Sequence, residues 1–108
     1  METKIARRIL LGFIEVHVLH HAAKAPFYGS WMMAELAKHG YQVGPSMMYP
    51  LLRSLEEQGL LDREDRLEDG KIRKYYQITL RGRDILAFAK KQLAELTDEL
   101  FIPQEETK

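Results

Sequence analysis

Residues 48–80, MYPLLRSLEEQGLLDREDRLEDGKIRKYYQITL, limit the possible folds more than any other stretch of the chain. Met48, Leu52 and Leu55, with Leu51 beside them, place apolar side chains on one face of a helix. That helix should end near Gln58-Gly59, where glycine can take the left-handed conformation that closes a last turn. Two strand-like runs follow, joined at Asp69-Gly70. Asp-Gly suits a two-residue hairpin because both central residues of a type I′ turn need positive φ. A helix leading directly into a hairpin with a basic return strand outlines a winged helix-turn-helix. The expected class is mainly α with a small β-hairpin.

The rest of the chain fits that outline. A first helix is expected over residues 5–23, with Ile5, Ile9, Phe13 and Val16 on one stripe and Leu10, Ile14 and Val18 on the next. Apolar surface on adjoining stripes predicts burial on more than one side, which a small core supplies only with a partner subunit. Ala25-Pro26 breaks this helix. Phe27-Tyr28-Gly29 leads into a second helix over residues 30–39, with Ser30 as N-cap and Gly40 as stop. Trp31, Met32 and Met33 on it read as core. Pro45 suits the first turn of the third helix. Pro50 is irregular, since an interior proline costs about 3 kcal/mol, so a later start with Ser46 or Met47 at the cap is the alternative. Thr79 can cap a final helix running to about Phe101. Its Leu86, Ala89, Leu93, Leu96 and Leu100 fall at heptad spacing, with Ile85 and Phe88 widening the stripe. The expected division is a winged-helix domain over residues 1–80 and a dimerisation helix with its tail over 81–108.

At 108 residues the chain supports one domain, and 45% apolar with 30% charged residues is ordinary for a globular protein. There is no cysteine, which excludes disulfides and thiolate chemistry. The apolar run near residues 9–19 is interrupted by Glu15 and His17 and is too short to span a bilayer. No secretory pattern is visible, and a cytoplasmic protein with no membrane association is expected. The formal net charge is zero, but it is unevenly spread. Residues 71–83 hold Lys71, Arg73, Lys74, Arg81 and Arg83 without an acid, while residues 56–69 and 95–106 are mostly acidic. Lys4, Arg7 and Arg8 form a smaller basic cluster. One basic face on a neutral protein can bind DNA, with weak long-range steering.

Taken in order, these pieces resemble the PadR family of transcriptional regulators. The matching residues are Phe27-Tyr28-Gly29, Met48-Tyr49-Pro50-Leu51-Leu52, Leu55-Glu56-Glu57-Gln58-Gly59-Leu60-Leu61, Gly70 with Arg73-Lys74-Tyr75-Tyr76, and Ile78-Thr79-Leu80-Arg81-Gly82. The resemblance covers residues 27–82 and, with the flanking helices, nearly the whole chain. It implies a winged-helix domain followed by one dimerising helix, as in the short members. It also implies a homodimer on a two-fold double-stranded DNA operator, usually as a repressor, and in some relatives release by a small-molecule effector. Met47 and Met48 stand where relatives often carry Thr and Leu. The final helix lacks the Trp on which the drug-binding type stacks flat ligands.

Direct readout needs side chains projecting from the third helix into the major groove. Ser46, Met47, Tyr49 and Arg53 lie off its core face. Arg53 could bond two acceptors on guanine or clamp a phosphate, Met47 could meet a thymine methyl group, and Tyr49 could donate to a phosphate. Alternatively Tyr49 packs, and Arg53 pairs with Glu56 or Glu57. On the wing, alternation puts Lys71, Arg73 and Tyr75 on one face and Lys74 and Tyr76 on the other, ranking Lys71 and Arg73 above Lys74 as DNA contacts. Tyr75 and Tyr76 are expected to pack. Candidate dimer contacts are Ile9, Phe13, Leu86, Ala89, Leu93, Leu96 and Leu100. Phe13, Phe88 and Phe101 are the candidate lining of an effector pocket. His17 and His21 have the four-residue spacing of a metal-binding pair. The sequence shows no third ligand, with His20 pointing elsewhere, so no metal and no cofactor is expected. No nucleophile motif, phosphate loop or catalytic acid pair points to an enzyme. The rival reading is a winged-helix module that binds protein, suggested by the zero net charge, although such a module has no need of an acid-free run over residues 71–83.

Overall fold

A computed structural model describes residues 3–103 of the chain. Its elements are α1 (Lys4–Ala22), β1 (Phe27–Tyr28), α2 (Gly29–Lys38), α3 (Pro45–Glu57), β2 (Leu61–Glu68), β3 (Lys71–Ile78) and α4 (Leu80–Phe101). The three strands form one antiparallel sheet in the order β1-β3-β2. This is the winged helix-turn-helix expected from residues 48–80, with α2 and α3 as the helix pair and β2–β3 as the wing.

Local chemistry sets most boundaries. Gly40 and Gly59 take positive φ just after α2 and α3. Each helix closes with paired bonds: Gly40 N–H to Ala37 and Tyr41 N–H to Leu36, then Gly59 N–H to Glu56 and Leu60 N–H to Leu55. Asp69 and Gly70 both have positive φ, and Glu68 pairs with Lys71 across the turn. Thr79 caps α4 by accepting from the Gly82 N–H at 2.9 Å, while its own hydroxyl donates to the Gly59 carbonyl at 2.6 Å.

Two expectations are corrected and one open alternative is decided. Ser30 is not the N-cap of α2. Pairing of Phe27-Tyr28 with Tyr76 and Tyr75 holds Tyr28 extended, so the helix begins at Gly29 as soon as the strand ends. That short strand depends on a partner nearly fifty residues away, and local pattern does not show it. The third helix does not start late: Gly44 is its N-cap, and Pro45 occupies the first turn. Pro50 therefore lies inside α3, where its missing N–H forgoes a bond to the Ser46 carbonyl. Both residues are exposed, so water can serve that carbonyl. Finally, Trp31 lies at the surface, its indole edge-on to His21, whereas Met32 is fully buried.

The core gathers Ile14, Val18 and Leu19 of α1, Met32 and Leu36 of α2, Met48, Leu52 and Leu55 of α3, Leu61 and Tyr76 of the sheet, and Leu86 of α4. Leu86 thus belongs to the chain's own core rather than to an open dimer seam. Ile5, Ile9, Leu10, Leu11 and Phe13 on the first half of α1 are exposed, as are Leu96, Leu100 and Phe101 at the end of α4.

Candidate nucleic-acid interface

Spacing within α3 places Ser46, Tyr49 and Arg53 on one face, three and four residues apart, and all three are exposed. Met47 is only half-exposed and packs on the core. The structure therefore gives Met47 a packing role and less reach than its neighbours. Among the described residues Arg53 forms no ion pair with Glu56 or Glu57, and the ion pairs of the wing join other residues, so its guanidinium is available.

 The aromatic ring of Tyr49 lies against the backbone of Gly29, so close that a Cβ there would come within 2.6 Å of its Cε1 and 2.8 Å of its hydroxyl. Tyr49 thus both packs and presents an exposed phenol.

That contact brings α3 beside the start of α2 and the wing. A cleft of about 300 Å³ is lined by Tyr28, Gly29, Ser30, Tyr49, Ile72, Arg73 and Lys74. No side chain caps the N-terminus of α2, which leaves the positive end of a helix facing the same region as two cations and a phenol. Such a set suits a phosphate oxygen. Arg73 is held in place: its guanidinium lies 4.0 Å over the Tyr28 ring and 3.8 Å from a Glu68 carboxylate oxygen. Glu68 also accepts from the Tyr75 hydroxyl at 2.9 Å, and Arg66 covers the Tyr75 ring at 4.1 Å. Tyr75 and the buried Tyr76 pack, as their positions predict.

The ranking of wing cations changes. Arg73 and Lys74 both line the cleft although alternation assigns them to opposite faces, while Lys71 sits outside it at the turn. The acid-free run also divides in purpose. Arg83 donates to the Ala23 carbonyl at 3.3 Å, fastening α4 to the end of α1, where a cation complements the helix dipole.

Elsewhere, a groove of about 230 Å³ lies among Phe13, Val16, His17, Tyr41 and Leu93. Phe88 and Phe101 do not line it; both project outward. Of the candidate dimer contacts, Ile9, Phe13, Leu96 and Leu100 are exposed, Ala89 and Leu93 are half-buried, and Leu86 is buried. One grouping escapes the sequence reading altogether: His39, at the end of α2, stands beside His17 and His21. Its place follows from how α1 crosses α2, which spacing along the chain does not reveal.

Comparison with known proteins agrees with this geometry. Residues 18–88 match the model of the transcriptional regulator PadR-like family. The chain belongs to that family. It is 42% identical over 94 residues to the transcriptional regulator Rv3488 of Mycobacterium tuberculosis, a match covering 87% of this chain and 88% of the relative. Among solved structures, a PadR family regulator from Eggerthella lenta superposes with a TM-score of 0.78 at 33% identity, covering 89% of this chain and 85% of that one. A PadR-like transcription factor from Bacteroides fragilis gives 0.80 at 26% identity, covering 91% and 96%. This PadR-like transcriptional regulator therefore shares its winged-helix architecture with those relatives over nearly its full length.

Proposed function

We propose that the chain is a homodimeric, sequence-specific DNA-binding regulator, acting as a repressor on a two-fold operator in the cytoplasm. The observation that carries this reading is the convergence of the exposed face of α3 with a cationic cleft. Ser46, Tyr49 and Arg53 would face the major groove, and Tyr49, Arg73, Lys74 and the start of α2 would hold the adjoining phosphates. Lys71 would reach the backbone from the turn. The exposed apolar residues of α1 and α4, among them Ile9, Phe13, Leu96 and Leu100, supply a surface for a second copy. The groove beside Phe13, lined mainly by apolar and aromatic residues, is the candidate place for a small-molecule effector.

The test is binding to duplex from the neighbourhood of the protein's own gene, titrated across salt. Selective binding whose affinity falls as salt rises is expected. Arg53→Ala should cost about 1–3 kcal/mol and relax sequence preference, whereas Arg73→Ala should weaken all duplexes similarly and reduce the salt slope by about one. If both variants bind as the parent does, this site assignment is wrong. Absence of any selective binding would favour a protein-binding role for the same face.

A further inference from the structure

His17 and His21 stand one turn apart on α1, and His39 caps the C-terminus of α2. One nitrogen from each of the three imidazoles lies within 4.8 Å of the others. The rings are 5.0 Å apart for His17 and His39, and 6.0 Å for His21 and His39. The His21 side chain is only 10% exposed, and its Nε2 is buried without a hydrogen-bond partner. A buried polar atom left unpaired has lost its hydration without compensation, so something that accepts this nitrogen's lone pair would remove a cost. Glu35 of α2 borders the same space, one carboxylate oxygen lying 3.8 Å from His21 Nε2 and 3.6 Å from His39 Nε2. Its other oxygen faces Lys38 at 3.4 Å.

From this arrangement we infer that His17, His21 and His39, with Glu35, form a binding site for a divalent transition-metal ion of the zinc class. Three imidazoles and one carboxylate complete a tetrahedral set, and nitrogen-rich donors favour zinc, cobalt or nickel over magnesium and calcium. With Zn–N bonds of about 2.0–2.1 Å, ligand nitrogens on one ion sit about 3.3 Å apart. The contraction from the present spacing is of the size that side-chain torsions cover. Neutral imidazole, the form that binds a metal, is favoured by the surroundings of His17 and His21. Burial first, and then the neighbouring charges of His39 and His20, lower the His17 pKa; burial also lowers that of His21, against the pull of Glu35. A bound ion would join α1 to the last turn of α2, directly before the linker into α3. Tyr41 of that linker already meets His17 edge-on at 5.0 Å.

The experiment uses the full chain without an affinity tag. Zinc(II) is titrated in competition with a chromophoric chelator, and cobalt(II) is followed by its visible absorption. One equivalent per chain is expected, with the intense bands of four-coordinate cobalt. His39→Gln, at a half-exposed position, should weaken binding at least about tenfold, the lower end of the losses seen when even outer partners of a metal site are removed. His20→Gln, outside the cluster, should leave binding unchanged, and circular dichroism checks that both variants fold. No stoichiometric binding by the parent overturns the assignment. So does binding that survives His39→Gln, or that His20→Gln weakens equally. These readouts need no DNA, so they stand or fall separately from the operator experiment.

Discussion

The helix pair and sheet bury their apolar residues against one another, whereas the first half of α1 and the second half of α4 leave theirs in the open. Met32, Leu36, Met48 and Leu52 are fully buried, while Ile5 is 59% and Leu100 61% exposed. Both regions carry apolar residues at helical spacing. They differ in what lies across from each stripe: α3 has α2 and the sheet on its inner side, but α4 is 22 residues long, about 33 Å, and outruns the core after Leu86. Exposed large apolar residues grouped in this way suit an interaction face. The winged half is complete as one chain, whereas the α1–α4 half leaves apolar surface for the second copy proposed above.

The junction between the regions offers the sharpest way to break that picture. Gly82, in the first turn of α4, is buried against the Leu60 carbonyl, and an added Cβ would also meet Ile78 Cγ1 at 2.7 Å. Gly82→Ala must push α4 away from the end of α3 and the sheet. We expect a loss of about 1–3 kcal/mol, the range for overpacked cores, read from the urea unfolding midpoint. An unchanged midpoint would mean that α4 is not docked this closely. Next in size is Leu96→Ala, beyond the core. It should leave the circular dichroism spectrum intact and raise the dimer dissociation constant by at least about tenfold, equivalent to about 1.4 kcal/mol, in sedimentation equilibrium. A dimer unaffected by Leu96→Ala would move the interface to the exposed face of α1.

The features legible in the sequence were those set by local rules. Gly59, Asp69-Gly70 and Thr79 each act within a few residues, so spacing and residue type were enough to place a helix end, a turn and a cap; Pro45, with Pro50 close behind, left two starts open for α3. What escaped depends on pairing across the chain. β1 exists because β3 runs beside it, and the Tyr49 cleft exists because Gly29 lets a ring approach. Leu86 has heptad spacing like Leu93 and Leu96, yet it lies over the core because α4 is docked only along its first turns. The three histidines meet only where α1 crosses α2. For the interface residues, the sequence supplied chemical types and one helix face, while the cleft that Arg73 and Lys74 share is formed only when the wing meets α2 and α3.

The smallest expected effect separates the two regions by titration, since the wing and α3 contain no histidine. Burial lowers the pKa of His17, His20 and His21 below the ordinary value near 6.5; neighbouring histidines and lysines add to it, while Glu35 opposes it at His21. As pH falls through 6.5, the unfolded chain therefore takes up protons before the folded one does. The stability these histidines contribute is fully present above about 6.5 and declines as pH drops towards their folded values. Glu15 works in the opposite direction: burial raises its carboxyl pKa, so the folded chain takes up that proton above the ordinary 4.5 and offsets part of the loss on acidification. Unfolding midpoints measured between pH 7.5 and about 5.5, with a chelator present to exclude metal, should fall modestly with acid. His21→Leu should flatten the slope, since His21 faces His17, His20, Lys24 and Glu35 from the two helices. A slope unchanged by that substitution would place the acid sensitivity outside the α1–α2 crossing and remove this distinction between the regions.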